Sequence, residues 1–162
     1  MKNIGKAWYE SGHYFGAYDD HPSRAEDYNL ESMGDTDLGE PLVAPFDGVV
    51  IYARDIRGGH GNVLGILAID GDEPVVCRMK HLQKLLVKAG DIVTLGQDVG
   101  TIGNASGRYS AHLHLEICRG KVPAIGELWT NRAYDFVQPS RWFVEHGISA
   151  ATIRRVTMMD RA

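Results

Sequence analysis

The segment His112-Leu113-His114-Leu115-Glu116-Ile117 puts two imidazoles and a carboxylate at every second position. Along an extended strand successive side chains point to opposite faces, so His112, His114 and Glu116 share one face and Leu113, Leu115 and Ile117 the other. Imidazoles at i and i+2 lie ~6.5 Å apart along a strand, close enough to serve one reacting centre. The apolar face belongs to a core. The polar face is expected to look into a cleft or into water. Two histidines on a surface edge strand would give the same pattern, so the fragment alone is a weak metal signal.

A second concentration of chemistry lies in Asp19-Asp20-His21-Pro22-Ser23-Arg24-Ala25-Glu26-Asp27-Tyr28-Asn29, where carboxylates surround one imidazole. Imidazole and carboxylate are ligand types that suit zinc. A solvated acidic loop is the ordinary alternative. Spacing does not choose among Asp19, Asp20, Glu26 and Asp27, and His13 and His60 stay open as candidates. The loop Gly103-Asn104-Ala105-Ser106-Gly107-Arg108-Tyr109-Ser110 runs into the His112 strand and should wall a cleft, with Arg108 and Tyr109 placed to touch a substrate or simply exposed. Parity along the run from Val75 to His81 is expected to set Cys77 and Met79 on the same face as His81, and both cysteines read as buried packing residues.

The elements that must position these groups are short and β-like. Leu42-Val43-Ala44 leads through Pro45 and Asp47-Gly48 to a strand over Val49 to Ala53. Val63 to Ile69 and Val75 to His81 flank Asp70-Gly71, a pair that favours a hairpin because glycine tolerates positive φ. Ala89-Gly90-Asp91 and Leu95-Gly96-Gln97 bracket another short strand, and residues 100–107 read as a loop. With 19 glycines between β-branched runs, an all-β core is expected, with helix only near the C-terminus. There Ser140 would cap Arg141 to His146, Gly147 would end the turn, and Ser149 to Met159 would form a second helix.

The chain has 162 residues, 44 % hydrophobic and 23 % charged, enough apolar material for one core. One domain over residues 1–147 and a helical tail over 148–162 are expected. The longest apolar run, Val63 to Ile69, is far short of the ~20 residues a membrane helix needs, so no membrane insertion is expected. Seventeen scattered basic residues are outnumbered by 21 acidic ones, which argues against nucleic acid and against a patch for anionic polymers. Two cysteines are too few for a disulfide framework. The first ten residues hold no apolar stretch that could serve as a secretory signal. Nothing in the sequence sets an oligomeric state.

Taken together, His21…Asp27, Thr36-Asp37-Leu38-Gly39-Glu40-Pro41, Ala44-Pro45-Phe46-Asp47-Gly48-Val49-Val50, Lys80-His81-Leu82, Ala89 to Gln97 and His112 to Glu116 resemble the lysostaphin-type zinc endopeptidases, the LytM-like peptidoglycan hydrolases. Asp27-Tyr28-Asn29 and Thr36-Asp37-Leu38-Gly39 look most like the phage and prophage branch. The resemblance implies a compact antiparallel β domain with a narrow groove. It implies one zinc ion held by His21, Asp27 and His114, with His81 and His112 as the catalytic histidines. The implied substrate is the peptide part of bacterial peptidoglycan. Between the two catalytic residues, His112 is expected as base and His81 as stabiliser of the oxyanion.

Three departures from the family pattern stand out: five residues rather than three between His21 and Asp27, Met79 where many relatives carry an aromatic, and Leu115 in place of a frequent Phe. Together with the absent leader, the phage-like motifs set the expectation of a protein made in the cytoplasm without a signal peptide and released onto the wall as a lysin is. Two rivals belong to other classes. One is a non-catalytic relative that binds or activates a partner, and the other a hybrid-barrel carrier domain, whose Ala-Pro-x-x-Gly and Gly-Asp-x-Val-x-x-Gly-Gln rhythm is shared here. The carrier would leave Asp27 and His114 without a task.

Overall fold

The computed structural model of the chain describes residues 24–28 and 34–147. His21, the candidates His13, Asp19 and Asp20, and the expected tail over 148–162 lie outside them. Among the described residues there are ten strands and one helix: β1 (Glu26–Tyr28), β2 (Pro41–Val43), β3 (Gly48–Asp55), β4 (Asn62–Asp70), β5 (Glu73–Leu82), β6 (Lys84–Leu85), β7 (Ile92–Val93), β8 (Asp98–Thr101), β9 (Leu113–Arg119), β10 (Asp135–Val137) and α1 (Pro139–Glu145). Seven strands form an antiparallel sheet in the order β1-β9-β5-β4-β3-β7, with β10 also paired to β9, and β2-β8-β6 form a second sheet. The mainly β, antiparallel architecture is the one expected.

The central hairpin is tighter than its sequence suggests. Asp70 pairs with Glu73, so only Gly71 and Asp72 make the turn, with Gly71 at φ +62°. Residues 100–107 are not all loop. Gly100 and Thr101 belong to β8, and Gly103 bridges to His112. A Cβ on Gly103 would lie 2.2 Å from the His81 carbonyl oxygen and 2.4 Å from the Gln83 nitrogen, so only glycine lets this backbone pass beside the one that carries His81.

The core is built from one face of β9 (Leu113, Leu115 and Ile117) with Leu64, Ile66 and Met79 of β4 and β5 and Trp142 and Phe143 of α1. Strand β1 pairs with residues 113–115 of β9 and β10 with residues 117–119, so the two short strands share one edge end to end. At α1, Ser140 is not the cap. Pro139 opens the helix, where its missing N–H costs no hydrogen bond, and Ser140 lies within the first turn, bonded to Glu26. Gly147, at φ +73°, follows the helix as expected. Cys77 and Cys118 are free. Cys118 stands opposite Val76, which turns it to the face away from Cys77.

Candidate active site

Two distant segments meet on the polar face of β9. Strand β1 pairs Asp27 with His114, and the Asp27 Oδ1 lies 3.0 Å from the His114 Nδ1 and 3.8 Å from the His112 Nε2. His114 donates from Nε2 to the Glu116 Oε1 at 2.8 Å. Its nitrogens thus face two carboxylates. Burial works against an imidazolium here, but the bonds and charges of Asp27 and Glu116 outweigh it and hold the pKa of His114 above its ordinary value.

His81 reaches the same place by a route that parity does not show. Asn62 pairs with Leu82 and Leu64 with Met79, so β5 carries one extra residue between those pairs. His81 sits in that bulge at φ +68°, a conformation that L residues other than glycine seldom adopt. Met79 therefore stays in the core while the His81 ring turns into the cleft, 4.7 Å from the His112 ring and 5.5 Å from that of His114. The shared face expected for Met79 and His81 is corrected by this bulge.

Backbone carbonyls set the tautomers of both histidines. His112 Nδ1 donates to the Ser110 oxygen at 2.8 Å, and His81 Nδ1 donates to the His60 oxygen at 3.2 Å. A carbonyl can only accept, so each neutral ring keeps its lone pair on Nε2. Burial, reinforced by His114 and His112, depresses the pKa of His81 to about 3, so it is neutral over the physiological range.

Beneath the histidines the polar face is closed rather than open to water. Glu116 is fully buried and accepts from Arg78 Nε at 2.6 Å and from Lys80 Nζ at 2.7 Å. Arg78 also donates to the carbonyls of Ala124 at 3.0 Å and Glu127 at 2.8 Å, pinning the loop that follows β9 over this face. Burial opposes the Glu116 charge, yet Lys80, the His114 bond and Arg78 more than offset it and hold the carboxyl far below the usual carboxylate range. Lys80, mainly through burial, is held below its ordinary value. The expectation that this face meets cleft or solvent therefore applies to His112 and His114, not to Glu116.

The cleft encloses about 470 Å³ and is lined by Asp27, Lys80, His81, His112 and His114 together with Tyr109, Gly59-His60 and Leu128-Trp129. Tyr109, expected there, packs 5.1 Å from His81 and 5.8 Å from His112. Sequence reading missed Arg78, Lys80, Trp129 and the His60 and Ser110 carbonyls. The alternation in β5 holds a signal for the first two, since Arg78 and Lys80 are the polar positions opposite Glu116 and His114. Of the acidic candidates Glu26 turns the other way and is buried, leaving Asp27 as the described carboxylate of that segment in the cleft.

Among the described residues no three His, Cys, Asp or Glu side chains converge as a metal site. The pair that does converge suits a zinc ion in donor chemistry. Glu116 accepts the hydrogen bond from the His114 Nε2–H and keeps that proton on Nε2, so loss of the Nδ1 proton leaves an imidazole lone pair beside the Asp27 carboxylate.

Residues 34–125 match peptidase family M23, more than half of the chain. The chain belongs to peptidase family M23. The matched span holds His81, His112 and His114 but not Asp27. Among curated relatives, the lipoprotein NlpD/LppB homolog of Pseudomonas aeruginosa is 30 % identical over 119 residues, which are 74 % of this chain and 37 % of that protein. Glycyl-glycine endopeptidase ALE-1 of Staphylococcus capitis is 31 % identical over 121 residues, 72 % of this chain and 32 % of that protein. The M23 chain thus spans about a third of the length of these relatives. The solved structure of LytU superposes with a TM-score of 0.59 at 26 % identity, covering 84 % of this chain and 80 % of that one.

Membership in M23 removes the carrier-domain reading. It also corrects the expected location. A relative matched over three-quarters of this chain is a lipoprotein, so the motifs in hand do not imply a leaderless protein freed onto the wall like a lysin. Among the described residues no helix is long and apolar enough to cross a membrane.

Proposed function

We propose that this chain is a zinc-dependent endopeptidase that hydrolyses peptide bonds in bacterial cell-wall peptidoglycan, with His21, Asp27 and His114 as metal ligands and His112 and His81 as the catalytic pair. The observation that carries the proposal is the meeting of Asp27 and His114, 87 residues apart in sequence, beside two further histidines whose Nε2 lone pairs are kept available. Family membership and the glycyl-glycine endopeptidase among the relatives support a peptide substrate.

When bound at Asp27 and His114, zinc would act as a Lewis acid on the scissile carbonyl and on the attacking water. The chain's own residues do the rest. His112, its Nδ1 proton held by the Ser110 carbonyl, presents Nε2 toward Asp27 and takes the proton of the attacking water. The imidazolium so formed then delivers that proton to the leaving amine. For His81 the geometry favours a part other than oxyanion stabiliser. With its proton on Nδ1 it accepts rather than donates, and burial resists a second proton, so it orients the water or a substrate N–H. Glu116 fixes the tautomer of His114, and Leu128, Trp129 and Tyr109 line the cleft where a peptide would lie.

The test is mass spectrometry of fragments released from defined peptidoglycan, with and without a zinc chelator. The proposal expects new peptide amino termini that vanish with chelator and return with added zinc. Intact peptides in both arms would point instead to a non-catalytic relative that binds a partner.

A further inference from the structure

Asp27 rides on β1, which is three residues long and shares its edge of β9 with β10. A strand this short gains little from its ladder alone. Its neighbour Glu26 points to the other face, is fully buried, and uses both oxygens. Oε2 accepts from the Tyr28 hydroxyl at 2.5 Å and the Ser140 N–H at 3.0 Å, and Oε1 accepts from the Ser140 hydroxyl at 2.7 Å. Ser140 lies in the first turn of α1, and Trp142 and Phe143 of that helix are buried in the core. The contact thus ties Asp27's strand to a core-anchored helix 114 residues away in sequence. Neither β1 nor α1 falls within the residues that match the family, so the device belongs to the part of the chain outside that match.

We infer that Glu26 and Ser140 are positioning residues, whose buried contact holds β1 so that Asp27 stands against His114, making helix α1 a structural part of the metal-binding end of the cleft. The inference rests on the zinc reading above. A side chain at position 26 that cannot accept leaves the Ser140 and Tyr28 donors buried without that partner, and β1 then gains by shifting to re-satisfy them.

The test uses the full chain with cobalt(II) as the probe, read by affinity and by its visible absorption, on the wild type, Glu26→Leu, Glu26→Gln and Ser140→Ala. Nitrogen-15 NMR of the His114 imidazole in the metal-free chains runs alongside. Glu26→Gln still accepts through its oxygen and offers an N–H to the Ser140 hydroxyl, so affinity and spectrum stay close to wild type. Glu26→Leu weakens cobalt binding about tenfold or more and changes the spectrum, as loss of a supporting contact around a metal site does. Ser140→Ala shows a smaller loss in the same direction, and carries the test if Glu26→Leu fails to fold.

Variants that melt earlier yet keep wild-type affinity and spectrum would overturn the inference, reducing the contact to a structural one. A wild type that takes no cobalt would defeat the zinc reading instead. The His114 nitrogen shifts then decide the clamp on their own: altered in Glu26→Leu and Ser140→Ala but not in Glu26→Gln supports it, unaltered throughout overturns it.

Discussion

Strand β9 carries an ion pair at each of two positions three residues apart, and the two have little in common. Glu116 faces Arg78 and Lys80 with its side chain and that of Arg78 wholly out of water. Arg119 pairs with Asp135 with about half of each side chain exposed. At the exposed end water solvates either partner alone, so the pair adds little. At the buried end no charge can be left over, because an unpaired ion in the interior costs several kcal/mol. The same chemistry therefore decorates one end of the strand and builds the site at the other. What the buried cluster supplies is direction: Glu116 fixes which nitrogen of His114 faces Asp27.

The largest effect is expected from Glu116→Ala, which leaves Arg78 and Lys80 buried without their carboxylate. Denaturant unfolding should show a loss of about 3–5 kcal/mol. A loss as small as that of a surface pair would erase the contrast between the two ends of the strand.

Acid and base act on the buried cluster in opposite senses. Glu116 has a folded pKa below its unfolded value, so its stabilisation is present above about pH 4.3 and is lost as pH falls through the folded value. His114 has a folded pKa above its unfolded value in the metal-free chain. Its stabilisation is full below about pH 6.5 and is lost as pH rises through the folded value. Thermal melts of the metal-free chain should therefore decline on the alkaline side. With zinc in place of the Nδ1 proton, that decline should disappear.

A smaller effect separates two variants at one position. His81→Ala and His81→Gly both remove the ring, but only glycine relieves the left-handed backbone, so His81→Gly should be the more stable by about 1 kcal/mol. Equal stabilities would mean that the bulge stores no strain. Smallest of all is Arg119→Ala at the exposed end, expected to change stability by roughly 0–1 kcal/mol, less in high salt, and turnover not at all.

What could be read from the sequence follows the physics of each element. The alternation in β9 was legible because one face of it is core, and the Asp70-Gly71 hairpin because its turn needs a special residue. Strands β1 and β10 were not, since three-residue segments acquire their structure from pairing with β9 rather than from any pattern of their own. The turn of His81 into the cleft is a backbone event at a bulge, invisible to a two-residue period. Arg78 and Lys80 were passed over because charged side chains are mostly exposed, and their burial becomes apparent only once Glu116 is placed opposite. Family resemblance named His21, Asp27, His81, His112 and His114 as a set, of which His21 lies outside the described residues. Geometry alone brought in the Ser110 and His60 carbonyls that set the tautomers.

The central claim is that Asp27 and His114 grip a zinc ion beside a histidine that does the proton work without holding the metal. Metal analysis of the purified full chain after dialysis against zinc tests it most directly, comparing wild type with His114→Ala and His112→Ala. The account expects about one zinc per chain in the wild type and in His112→Ala, and none in His114→Ala. A wild type without zinc, or a His114→Ala chain that keeps it, would contradict the account.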